Sequence, residues 1–170
     1  MTAFVALLRA VNVGGTGKLP MSELRAMCEA EGLEGVTTYI ASGNVVFRTG
    51  LARKAVRTAL EKRLESYAGK PVGVMLRTGE EMAQIFKANP FPDAPGNKVA
   101  VIFLDARPPA DALERLKGKA DEEAILGEAE IYIHYPSGQG RSKLVIPAAK
   151  AGTARNMNTV AKLAEMAGDR

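Results

Sequence analysis

The stretch VTTYIASGNVVFRT, residues 36–49, decides the fold. Two runs rich in β-branched and aromatic residues flank ASGN, a tetrapeptide of turn formers, and so read as strands VTTYI and NVVFRT joined by a tight connection. Upstream, AFVALLRAV (3–11) is almost continuously apolar, as in a strand buried on both faces. Pro20 suits the first position of a helix and Glu23 its first turn; this helix is expected to reach about Ala30 and stop near Gly32. Downstream, residues 52–68 place Val56, Leu60, Leu64 and Tyr67 on one side of a helix and basic side chains on the other, with Gly69 as a stop. VGVMLRT (72–78) is the next strand. The order βαββαβ is the ferredoxin-like plan.

Residues 79–88 read as a helix. It ends at NPFPDAPGN (89–97), whose three prolines make it a linker candidate between a first subdomain, 1–88, and a second, 98–170. KVAVIFLD (98–105) is a strand and Pro109–Lys119 a helix. EAILG and AEIYIHY form a short hairpin, and helices follow around 142–150 and 156–167. The succession repeats that of the first half in outline, without a repeat in the residues themselves. The expected class is α+β, with a ferredoxin-like first half, a related second half and C-terminal helices.

A chain of 170 residues buries roughly 70% of the surface it exposes when unfolded, so it needs no covalent staples. The single Cys28 cannot form an internal disulfide. It lies among Met21, Leu24 and Met27 in helical surroundings and reads as a buried, inert thiol, which suits a reducing cytoplasm. No apolar run approaches the ~18 residues of a membrane span, and no basic region precedes the first apolar run as in a signal peptide. The expectation is a cytoplasmic protein with no membrane partner.

The net charge of +4 matters less than its placement. Ile131–Ala164 contains no acid but holds Arg141, Lys143, Lys150, Arg155 and Lys162. A second acid-free stretch, Gly35–Leu60, holds Arg48, Arg53, Lys54 and Arg57, while acids gather at Asp121, Glu122, Glu123, Glu128 and Glu130. Such asymmetry points to an anionic partner, or to basic helix faces that only solubilise the chain.

LRAVNVGG (8–15), PMSEL (20–24), YIASGNVVF (39–47), NPF (89–91), YPSGQGRSKL (135–144) and TARNMNTVAKL (153–163) follow one another in order. Together, across essentially the whole chain, they resemble the bacterial family known as domain of unknown function 1697. The resemblance implies an α+β fold of ferredoxin-like character and no particular activity. Where the family usually has Trp, within Arg-Asn-x-Asn-Thr, this chain has Met157. An aromatic that stacks on a ligand would be lost here, whereas one that only packs is replaced by a tolerable filler.

Two glycine-rich loops carry the ligand expectations. In NVGGTGK (12–18), Asn12 stands where a Walker loop has its first glycine, and Leu19 replaces the hydroxyl that would hold magnesium, which argues against ATP hydrolysis of that kind. Gly14 and Gly15 still permit backbone N–H groups to converge on an anion beside Lys18; a simple surface loop is the other reading. In YPSGQGRSKLVIP (135–147), Gly138 and Gly140 permit unusual backbone angles, and a helix starting near Ser142 would present free N–H groups beside Arg141 and Lys143. That is an anion site, or a turn capped by Ser142 with no ligand. Arg141 is the preferred anchor, because a guanidinium grips a phosphate or carboxylate with two hydrogen bonds. Ser42 and Asn44 either shape a hairpin turn or offer polar contacts to a base or sugar. Arg155 is expected beside the first turn of the last helix, where the dipole does not favour a cation, and Asn156 or Asn158 is a candidate cap for that helix.

Standard catalytic sets are missing. His134 is the only histidine and reads as a solvent-facing strand residue; one His and one Cys do not make a zinc site. Whether the chain is an enzyme, and what cofactor it would use, stays open. The ligand is expected to be a nucleotide, nucleic acid or phosphorylated metabolite held by Arg141, Lys143 and Lys18 and oriented by Asn12 and Asn158. RNA reading on the sheet face is disfavoured, because NVVFRT lacks the stacking aromatics it needs. The alternative is a protein-interaction module whose basic face takes no small molecule.

Overall fold

The first apolar run becomes β1 (Thr2–Leu8), a central strand of a four-stranded antiparallel sheet in the computed structural model, which describes residues 1–12 and 18–168. Its companions are β2 (Glu34–Thr38), β3 (Asn44–Thr49) and β4 (Val74–Thr78), in the order β2-β3-β1-β4. With α1 (Met21–Ala30) and α2 (Arg53–Ala68) in the connections, this is the ferredoxin-like plan. Phe4, Ala6 and Leu8 share one sheet face and pack with Leu24 and Cys28 of α1 and Val56, Leu60 and Leu64 of α2. Val5 and Leu7, on the opposite face, are also fully buried, as a continuous apolar run requires. Each such side chain contributes about 1.5–3 kcal/mol on burial.

Close contacts divide the chain into two units, Met1–Ala83 with Leu163–Arg170, and Gln84–Lys162. The division falls within α3 (Gly79–Lys87) and within α4 (Met157–Gly168). The start of α3 is a capping box. Thr78 Oγ1 accepts from Glu81 N–H at 3.0 Å while Glu81 Oε1 accepts from Thr78 N–H at 2.8 Å.

The second unit holds β5 (Val99–Phe103), β6 (Glu123–Leu126), β7 (Glu130–His134) and β8 (Thr153–Asn156), antiparallel in the order β6-β7-β5-β8. Counted within its own unit, each sheet runs second, third, first, fourth strand, so one topology occurs twice. In the second copy the helical layer is reduced to short 3-10 turns at Ala112–Arg115, Gln139–Arg141 and Pro147–Ala149. Ala100, Ile131, Ile133 and Ile146 form the core beneath them, with Leu113, Leu116, Ala148 and Ala149 packed against it.

Three expectations are corrected here. Pro109–Lys119 and the region 142–150 are not α-helices. Lys117 and Val145 form a β-bridge, with N–H···O distances of 2.9 and 2.8 Å, which pulls both segments out of helical geometry. Gly118 turns at φ +73° against the Lys143 backbone. TARN (153–156), expected to lead into the last helix, is instead the edge strand β8 paired with β5.

Candidate functional site

In the turn between β2 and β3, Ser42 and Asn44 make hydrogen bonds that shape the turn. Asn44 is fully buried and donates to Tyr39 O and Ser42 Oγ, both at 2.9 Å, which closes the turn between β2 and β3. Gly43 takes φ +89°, and its carbonyl accepts from Leu8 N–H at 2.8 Å. Asn12 ties the next loop to this turn. Its Nδ2 donates to Leu19 O at 2.8 Å and Ala41 O at 2.7 Å, and its Oδ1 accepts from Leu19 N–H at 2.7 Å. Both amide hydrogens are therefore spent on the protein. Ala10, Asn12 and Ile40 all hold positive φ, a strained state for residues with a Cβ and an outlier for β-branched Ile40. Gly14 and Gly15 lie outside the described residues.

Beyond Asn12 the chain reaches Lys18, on the rim of a cavity of about 190 Å³ in the first unit. Val11, Leu19, Leu64 and Val72 make an apolar floor, and Tyr67 and Lys70 complete the rim. Lys70 is brought there by Gly69, the left-handed residue that ends α2. The lining contains no acid, and neither lysine has a hydrogen-bond or ion-pair partner among the described residues. Tyr67 and Lys70 were not anticipated as ligand contacts; the helix pattern assigned Tyr67 to the buried side, yet it is 46% exposed.

In the second unit, Gly138 (φ +90°), Arg141, Ser142 and Lys143 line a cavity of about 420 Å³ together with Asp121 and Glu122. The loop is not the start of an α-helix. Peptide N–H groups of Gly138, Arg141 and Ser142 already donate to Tyr135, Gly138 and Gln139 carbonyls. Gly140 is exposed in the 3-10 turn. Ser142 does not cap a helix; its hydroxyl donates to Glu122, and accepts from Leu144 N–H at 3.1 Å. Glu122 also accepts from Ala120 N–H at 2.6 Å. The Ser142 hydroxyl first, and the Ala120 amide next, hold the Glu122 carboxyl below the usual glutamate range. Ser137 donates to Asp121 at 2.5 Å. Arg141 and Lys143 have no side-chain partner among the described residues. Sequence order did not reveal that the acids near 121 meet this loop.

Arg155 sits on β8, not in a helical turn, and is buried. Its guanidinium donates to Thr153 Oγ1 at 2.8 Å and Ala154 O at 2.9 Å, and burial pulls its pKa down to about 10. Asn156 caps α4 by accepting from Thr159 N–H at 2.9 Å. Asn158 is exposed, with its amide lying over Gly96. Met157 is buried and packs as a filler. His134 is half-buried, with its ring 5.4 Å from that of Phe91. Lys18 belongs to the first unit and Arg141, Lys143 and Asn158 to the second.

A family model described as "Protein of unknown function (DUF1697)" matches residues 1–132. Among solved structures, the chain is similar to a conserved bacterial protein from Streptococcus pneumoniae. The two share 26% sequence identity and a TM-score of 0.80, over 98% of each chain. No protein of curated function matches. No helix among the described residues is long and apolar enough to cross a membrane.

Proposed function

The chain belongs to the DUF1697 family of proteins of unknown function, and from that premise we propose that it binds a small anionic ligand, with Lys18 and Lys70 as the groups that hold the anion. The observation that carries this reading is the lining of the first unit's cavity: among the described residues, two lysines without a hydrogen-bond or ion-pair partner, no acid and an apolar floor. Lysine is a flexible point charge suited to phosphate, and the floor suits an apolar or aromatic part of the same molecule. Asn12, at positive φ and hydrogen-bonded to Leu19 and Ala41, fixes Leu19 on the cavity floor beside Lys18.

Titration of isotopically labelled protein with phenyl phosphate tests this. Amide shifts should centre on Lys18, Tyr67 and Lys70, and a Lys18→Ala/Lys70→Ala double variant should bind at least about tenfold more weakly, some 1.4 kcal/mol. Unchanged affinity in that variant overturns the reading. A nucleic-acid ligand would instead show affinity falling by orders of magnitude from low to moderate salt. A protein-interaction module would bind neither probe.

A further inference from the structure

The cavity of the second unit has a different charge pattern from that of the first. Asp121 and Glu122 line it together with Arg141 and Lys143, two acids and two bases. Among the described residues, no cation lies within ion-pair distance of Asp121 or Glu122, and no acid within that distance of Arg141 or Lys143. Glu122 is only 3% exposed, covered by the loop that carries Ser142. Lys119 acts on Glu122 only from beyond ion-pair distance, as the weakest influence on its carboxyl, whereas a carboxylate so covered ordinarily has a cation directly beside it. Its carboxylate accepts from the Ser142 hydroxyl and from the Ala120 and Glu122 amides, and of the about four lone-pair positions of a carboxylate this leaves one. Asp121 uses one oxygen on Ser137 and keeps the other.

Both serines donate to acids, so the hydroxyl hydrogens are not available to an anion. A simple anion at Arg141 and Lys143 would share the cavity with two carboxylates, and a simple cation would share it with two bases. A ligand that carries both signs removes both conflicts. We propose that this cavity binds a small zwitterion, its ammonium toward Asp121 and Glu122 and its phosphate or carboxylate toward Arg141 and Lys143. The volume of about 420 Å³ is within the range of small-molecule sites. The proposal is independent of the first unit's site, because its residues and its ligand class are different.

The test uses the full labelled chain with two zwitterions, phosphoethanolamine and β-alanine, and with ethanolamine and inorganic phosphate as isolated halves. At least one zwitterion should shift the amides of 120–122 and 138–143 and bind about tenfold or more tightly than either half. Glu122→Gln removes the charge and keeps one acceptor oxygen for the Ala120 amide, while its NH2 can donate to the Ser142 hydroxyl in place of the bond Ser142 donates now. It should weaken the zwitterion about tenfold without weakening inorganic phosphate, whereas Arg141→Ala/Lys143→Ala should weaken both. Asp121→Asn, at an exposed position, gives the same discrimination if Glu122→Gln does not fold. Absence of those shifts with both zwitterions, equal binding by a half, or unchanged affinity in Asp121→Asn and Arg141→Ala/Lys143→Ala overturns it.

Discussion

Gly43 meets two demands at once. Its φ of +89° is a conformation that side chains with a Cβ rarely adopt, and a Cβ there would lie 2.6 Å from Val11 Cγ2 and 2.8 Å from Leu8 Cβ. Gly43→Ala should therefore cost about 2–4 kcal/mol through backbone strain and overpacking. A urea unfolding midpoint reads this loss, and a midpoint like that of the parent would refute it. At this scale the sequence was partly legible. Ser42-Gly-Asn44 was open between turn and ligand contact, and turn chemistry alone suggests the first; the burial of Asn44 could not be read from spacing. Asn12 is a related case: its partners Leu19 and Ala41 are brought to it by the fold, and spacing does not show them.

Among the elements, helices with a long amphipathic pattern and a glycine stop were legible, and α2 with Gly69 is the clearest case. The two expected helices that failed did so through one long-range pairing. Local propensity cannot anticipate that Lys117 and Val145 will bridge, and both segments lie beside it. The capping box at Thr78 and Glu81 is written in the sequence as Thr-x-x-Glu. It has a pH consequence. Burial opposes ionisation of Glu81, but the Thr78 amide and the Arg53 guanidinium, 2.7 Å away, outweigh it and lower its pKa from the ordinary 4.5. A lowered folded pKa means that this stabilisation is complete above the unfolded value and is lost as pH falls through the folded one. Glu81→Gln should be less stable than the parent at neutral pH, and the gap should close in acid below that ordinary value. Urea midpoints across the range check it; a gap that stays constant would exclude the ionised cap as its source.

For the molecule as a whole, the α+β class and the first sheet's plan were readable from periodicity because each of that sheet's strands is a distinct apolar or β-branched run bounded by turn or helix signals. The second sheet was only half readable, since β8 takes its identity from pairing with β5 rather than from its own short TARN sequence. Of the candidate site, the basic residues were legible and their surroundings were not: nothing in the order of residues shows Lys70 near Lys18, or Glu122 under Ser142. Cys28 reports on the first unit's integrity. Burial, and then Glu29, push its thiol up to about 12, so at neutral pH it carries almost no thiolate. Native protein should resist a disulfide-exchange reagent, and urea should make the thiol fully reactive; prompt modification without denaturant would show that this core opens readily.

Because Leu163 and Ala167 of α4 are buried with the first unit, and Ala167 lies against Gly79, that unit is assembled from stretches far apart in the chain. On the ribosome, Met1–Ala83 emerges well before α4 has been translated. The nascent sheet therefore waits, with the place beside Gly79 uncovered, until nearly all of Gln84–Lys162 has left the exit tunnel. Its closure comes after the second unit has been made, although its own strands are synthesised before those of that unit.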